Sequence, residues 1–390
     1  MEQRRKNLTQ LFIPICLETL LYMLSGMVDT LMLSSVNDQA VGAVGTANTY
    51  IGIFIIMFSV ISSGMVAVMT QNIGAGRPGV AYQARQLGLT FNAVLGIIVS
   101  LILTFGAGAI LAGVGVADAL MQPARTYLQI VGGFCILNAL IPICSSYLRA
   151  FGFSKEPLYA SIIGNVINFC LNAFFLFVLH KGVAGVATAT VISRIINLVI
   201  VVLLGAVLVK AKQHPERESN RAVMGQIIRI GLPSACETAI YNVSMTLVIR
   251  FLNQMDAQGL NVTARSYTMQ ITNFSYCVGA ALAQANAIMT GWHIGAKEYD
   301  ACDRGTKKAA VIGVIVAVIL ETVFTLCSGW IMQLFSKDPQ MVSLVGKLLA
   351  IDIVLEIGRV TNLVYGQALK TSGDAVFPVV MGVCFMILCS

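Results

Sequence analysis

The strongest constraint on this chain is that its sequence is written twice. Pro14, Glu18, Thr19 and Tyr22 return with the same spacing as Pro233, Glu237, Thr238 and Tyr241. Met69-Thr70 with Gly74-Ala75 returns as Met289-Thr290 with Gly295-Ala296. Leu148-Arg149, Gly152 and Pro157 return as Leu369-Lys370, Gly373 and Pro378. Both copies are apolar: 57% of the residues are hydrophobic and 11% charged, where a soluble domain is about a quarter charged. A duplicated apolar chain of this kind is an all-α integral membrane protein made of two related bundles. Its site is expected between the bundles, worked by alternating access. The repeat also puts a carboxylate in the first span of each half, where a charge is costly.

The 390 residues are enough for about ten or eleven spans. The apolar runs predict helices over 8–34, 44–73, 85–113, 124–149, 157–180 and 183–210, then 224–252, 263–293, 306–334, 342–370 and a start at 376. Residues 1–210 form the first six-helix bundle, the polar stretch 211–223 a cytoplasmic linker, and 224–390 the second bundle. Lys and Arg concentrate on the side that holds Arg4, Arg5, Lys6, Arg77, Arg85, Arg149, Lys155, the linker, Arg229, Lys307 and Lys370. The other side has Arg125, Lys181, Arg250, Arg265, Lys337 and Lys347. The positive-inside rule makes the rich side, and so the N-terminus, cytoplasmic. Six spans return the chain to its starting side, so the two bundles are parallel repeats rather than inverted ones. Ser390 falls inside an apolar run, so the second bundle is expected to be cut in its eleventh helix. The apolar run after the basic start is too long for a cleavable signal.

Several classes are excluded. The net charge of +7 comes from short loops and implies no nucleic acid. The ten Cys lie mostly in apolar segments, with no Cys-Xaa-Xaa-Cys pair, and read as small core residues. No His-Glu-Xaa-Xaa-His, Gly-Xaa-Ser-Xaa-Gly or P-loop is present, and His180, His214 and His293 sit in loops or at helix ends. The chain is therefore not read as an enzyme, and no cofactor is expected.

The ionisable residues inside spans carry the functional reading. Glu18 and Asp29 are almost three helical turns apart, on one face and about 16 Å apart in height. They form either an ion pathway along a cavity or two acids that each reach water near a membrane surface. Glu237 repeats Glu18 and lies deeper than a terminal snorkel, with Tyr241 one turn on. A buried carboxylate is either protonated or paired with a cation, so Glu237 is a coupling candidate or a duplicated structural contact. Asp352, Glu356, Arg359 and Asn362 form one polar stripe in the tenth span. There a Glu356–Arg359 salt bridge and a transport role fit equally well. Glu321 and Arg194 stand alone in their spans. Asn165, Asn168 and Asn172 share one face of the fifth span, as helix glue or as the wall of a cavity beside the first span. The 17 Met and 18 Phe would suit an adaptable apolar cavity, and packing explains them as well.

These residues resemble the multidrug and toxic compound extrusion (MATE) family of the flippase superfamily. The resemblance is carried by Val28-Asp29-Thr30, the loop Thr70-Gln71-Asn72-Ile73-Gly74-Ala75-Gly76, Leu148-Arg149-Ala150-Phe151-Gly152 with Pro157, the asparagine series, and Pro233 with Glu237. It implies a twelve-helix antiporter, acting as a monomer in the plasma membrane. Such a protein exports amphipathic, cationic organic compounds in exchange for Na+ or H+. Asp29 matches the coupling aspartate of the first helix. Glu237 looks like the glutamate that binds a cation in one branch, and so a candidate Na+ ligand. Glu356 and Arg359 resemble a Glu-Xaa-Xaa-Arg pattern of another branch. Ion coupling is thus expected at Asp29, Glu237, Glu356 and Glu18, and the substrate cavity at Asn168, Asn172, Tyr241 and Arg359. Asn172 departs from the family where some members carry a second acid, and a neutral amide cannot take a proton. A lipid-linked saccharide flippase of the same superfamily is the alternative, with Arg194 and Arg359 as its only phosphate candidates.

Overall fold

A computed structural model of the chain describes residues 6–35, 38–113, 116–210, 214–255, 260–333 and 338–389. Arg4, Arg5, Lys212 and Lys337, and residues 211–213 of the expected linker, lie outside the described residues. The rest is helical: α1 (Leu8–Ser34), α2 (Asp38–Gly74), α3 (Pro78–Gly113), α4 (Asp118–Gly133), α5 (Ile136–Ala150), α6 (Lys155–Ala173) and α7 (Gly182–Leu208) form the first half. The second half contains α8 (Asn220–Met255), α9 (Leu260–Gly295), α10 (Tyr299–Leu326), α11 (Ser328–Met332), α12 (Pro339–Ser372) and α13 (Val376–Cys389).

The expected spans are all present, with differences that have local causes. The fourth span is two helices, α4 and α5, bent by 43°. Gly132 and Gly133 precede the break and let α4 press against Leu103 and Thr104 of α3; paired glycines are a usual site of helix breaks. The fifth span ends in a π-helical turn, Phe174–Val178. α8 starts at Asn220, so the linker is shorter than expected. Among the described residues six helices are long and apolar enough to cross a membrane, seven if the bent pair counts as one. α8, α9 and α12 have 36, 36 and 34 residues, about 50 Å or more at 1.5 Å per residue. They are long enough to span but more polar, because their side chains face other helices and polar groups rather than lipid alone.

Local chemistry explains why the repeat was written into the sequence. Gly152 and Gly373 both adopt positive φ (85° and 107°) as the chain leaves α5 and α12. In each, the next amide returns to the helix, Phe153 N–H to Leu148 O at 2.9 Å and Asp374 N–H to Leu369 O at 3.1 Å. This is a left-handed helix stop that glycine makes without strain. Pro14 removes an amide from α1 and strands the carbonyl four residues back. Ser154 Oγ donates to that Gln10 carbonyl at 3.0 Å, so the kink is satisfied from the start of α6.

The buried core has a telling distribution. At the end where the chain begins, one cluster joins both halves: Leu11 and Ile15, Met65 to Ile73, Ile143 to Leu148, Val223 to Ile230 and Ala281 to Trp292. At the opposite end the core splits. Ala43, Ile51, Leu103 and Leu128 belong to a cluster of the first half alone, and Ala264, Ile271, Met341 and Val345 to one of the second. The described hydrogen bonds between halves follow the same division. Gln71 donates to Thr371 O, Trp292 Nε1 to Ala150 O at 2.9 Å, and Arg149 to Gln284 at 2.8 Å; the last in height reach Met23 from Asn273 and Cys277. The halves are therefore sealed together at one end and parted at the other.

Glycines make the seal possible. A Cβ on Gly64 would run into the Ile227 carbonyl, and one on Gly231 into the Val60 carbonyl. Gly74 meets Trp292 O and Gly295 meets Gln71 O in the same way. The Gly74 and Gly295 contacts are reciprocal between repeated positions of α2 and α9, as two copies related by a pseudo-twofold axis require, while Gly64 and Gly231 both bring α2 against α8.

Candidate functional site

The first-half site lies where α1 runs along α6. Asn172 Nδ2 donates to Asp29 Oδ1 at 2.6 Å and to Asn168 Oδ1 at 3.2 Å. Asn165 Nδ2 reaches Leu21 O at 3.5 Å, and Ser161 Oγ reaches Glu18 Oε1 at 3.4 Å. The stripe of α6 thus faces the stripe of α1 that carries both acids, a meeting that the spacing, which only put the three asparagines on one face, left open. Asn168 and Asn172 are buried and Asp29 half-buried. Asn165 and Asn168 also line a groove of about 270 Å³ with Leu24, Val28 and Phe169. Among the described residues Asp29 has no ion pair; Arg194 of α7 acts on it electrostatically.

Glu18 and Glu237 are placed differently. Arg149 Nη2 sits 2.6 Å from Glu18 Oε2, with both side chains nearly buried (10% and 13% exposed). Lys370 Nζ sits 2.6 Å from Glu237 Oε2, again nearly buried (13% and 20%). These cations are the repeated Arg149 and Lys370 themselves. Two of the three matches in the duplicated sequence are therefore the two ends of one ion pair, made once in each half. The signal was present in the sequence, but spacing along a chain does not show which distant groups meet. Tyr241 stays exposed, and the partner of Glu237 is Lys370 rather than that hydroxyl.

Both pairs lie on the sealed side of the parted core, and Arg149 also grips Gln284 of the other half. Arg149→Met is expected to destabilise the protein by about 3 kcal/mol, because it strands Glu18 among apolar neighbours. The double variant Glu18→Gln/Arg149→Met should recover most of that loss. Thermal unfolding of detergent-purified protein checks both; equal losses in the single and double variants would mean that the pair contributes nothing.

The second half holds an acidic cluster. Arg359 Nη1 lies 2.6 Å from Glu356 Oε2, and its Nη2 lies 3.3 Å from Asp352 Oδ1. The expected stripe is thus an ion-paired one. Glu321 of α10, isolated in the sequence, joins it: a carboxylate oxygen from each of Glu321, Asp352 and Glu356 lies within 4.8 Å of the others. Sequence reading placed Glu321 alone because its neighbours come from another helix.

The MatE family model matches this chain twice, over residues 14–174 and 233–390, one match per half. The uncharacterized transporter YisQ of Bacillus subtilis is 33% identical over 379 residues, covering 96% of this chain and 83% of its own. The probable multidrug resistance protein YoeA, from the same organism, is 22% identical over 395 residues, 97% of this chain and 83% of its own. Among solved structures, the outward-facing conformation of a multidrug resistance MATE family transporter of the MOP superfamily superposes with a TM-score of 0.86 at 16% identity. It covers 96% of this chain and 84% of that one.

Proposed function

Because the chain belongs to the MatE family of multidrug and toxic-compound efflux transporters, we propose that it exports amphipathic, cationic organic compounds in exchange for Na+ or H+, with Asp29 as the carboxylate on which ion and substrate compete. The observation that carries this reading is the division of labour among its acids. Glu18 and Glu237 are held by Arg149 and Lys370, whereas Asp29 accepts a hydrogen bond from a neutral amide and has no ion pair among the described residues. It lies further along α1 than Met23, which contacts Asn273 and Cys277 of the other half.

With the N-terminus cytoplasmic, the sealed end faces the cell and the parted end faces outward, an outward-open state in the plasma membrane. An ion binding at Asp29 there neutralises it, weakens an organic cation and favours return to the inward-open state. Coupling requires that the two ligands prefer different states, since a ligand that binds both equally shifts nothing. The site is built within one chain, in keeping with a monomer. The saccharide flippase is less well supported: a pyrophosphate needs free basic groups, and Arg359 is occupied by two acids.

Efflux of a fluorescent organic cation from everted vesicles, under a Na+ gradient or a pH gradient imposed separately, tests the proposal. One of the two gradients should drive efflux. Failure of both would overturn it and make lipid-linked saccharide flipping the next assay.

A further inference from the structure

We infer that the connection between the halves is a latch: residues 214–220, which lead into α8, hold the sealed end closed while they lie on α3, and lifting them off lets that end open. The inference rests on the reading of the chain as an exporter that alternates between two states.

A connecting segment ordinarily runs loosely over the surface. Here one buried side chain fixes it. Gln83 of α3 is 4% exposed. Its Nε2 donates to Glu218 O at 2.7 Å and to Asn220 Oδ1 at 2.6 Å, and its Oε1 accepts from Glu218 N–H at 3.0 Å. The amide thus pairs with both backbone groups of Glu218, as a neighbouring strand would, and also holds the residue on which α8 begins.

Three further contacts join the same two segments. Arg77, just before α3, pairs with Glu218. Gly79 lies beneath the connection: a Cβ there would stand 2.5 Å from Glu216 O, so glycine is what lets the two backbones approach. Arg217 closes over the Tyr82 ring, 5.8 Å from its centroid, a cation–π contact. These contacts are not equal. The Arg77 and Glu218 side chains are 49% and 30% exposed, and an ion pair so open to water contributes little. The buried amide of Gln83 is the part that discriminates a docked connection from a loose one.

The latch bears on the seal through the course of α8. Val223 and Ile227, about one and two turns beyond Asn220, enter the cluster shared by both halves, and Gly64 of α2 packs on the Ile227 carbonyl. To open the sealed end, α8 must leave α2 at this level. Its first residue is tied to α3, in the same half as α2, so the tie resists that departure. Once lifted, the polar groups of the connection exchange their partners for water at small net cost, which makes the latch releasable.

The test uses the full chain purified in detergent and two readouts that involve no transport. Trypsin cleavage after Arg217 reports release of the connection. Iodide quenching of Trp292 reports the seal, because its buried indole donates to Ala150 O across the halves; the second of the two Trp, the exposed Trp330, is changed to Phe throughout. In Gln83→Ala both readouts should rise. The ratio of open to sealed conformers should grow about 5- to 30-fold, the factor carried by one or two net hydrogen bonds. If Gln83→Ala does not fold, Gly79→Ala replaces it, since its Cβ lifts the connection without removing a hydrogen-bonding group. Faster cleavage with unchanged quenching would make the connection a passive tether, and unchanged cleavage would show that Gln83 does not hold it; either result overturns the latch. Raised quenching in a chain without gradient-driven efflux keeps the latch and sinks the export reading. Gradient-driven efflux with quenching unmoved in Gln83→Ala does the reverse.

Discussion

Asp29→Asn is expected to reduce gradient-driven efflux roughly 10- to 100-fold, the scale of a coupling free energy of about 1.4–2.8 kcal/mol. The protein should remain folded and in the membrane. The amide keeps the shape of the side chain, so what is lost is the charge that an organic cation and the driving ion both require. Asn172, now facing a second amide, can still donate to its oxygen, which is why folding should survive. Binding of the organic cation to purified protein should weaken alongside transport. Efflux unchanged in Asp29→Asn would move coupling out of the first half and onto the acids of α10 and α12.

The second large effect is steric. Gly231→Val should abolish transport by forcing the sealed end open. A Cβ at this position collides with the Val60 carbonyl, and backbone cannot turn aside as a side chain can. The helices must separate, at a cost of about 1–3 kcal/mol in the sealed state, enough to change the ratio of sealed to unsealed conformers about 5- to 150-fold. Cys144, buried in the cluster shared by both halves, is a native reporter. Its alkylation, followed by mass spectrometry, should rise at least several-fold in Gly231→Val. In Gly225→Val, where an added Cβ meets nothing, it should not change. Equal protection in both variants would show that the interface has slack.

Much of this molecule is legible in its amino-acid sequence. The duplication announces two parallel bundles, and the apolar runs place every span, with ends that shift by up to about eight residues and a fourth span that is broken in two. The faces are legible too: spacing puts Glu18 and Asp29 on one stripe and the three asparagines on another. Those stripes meet across α1 and α6. What spacing does not convey is partnership. Leu148-Arg149 and Leu369-Lys370 read as loop-side cations, and Glu18 and Glu237 as candidate ion sites, yet they are the two members of one repeated pair.

The sequence by itself determined the class of the protein, its two-fold build and the residues that would be expensive to bury. These follow from local composition, because the transfer of a side chain into an apolar medium and the period of a helix do not depend on distant neighbours. Only the tertiary structure decided which acids are spent and which are available. A buried charge is defined by what lies within a few ångströms of it, and here the neighbours come from elsewhere in the chain: Arg149 for Glu18, Lys370 for Glu237, and Asp352 with Glu356 for Glu321.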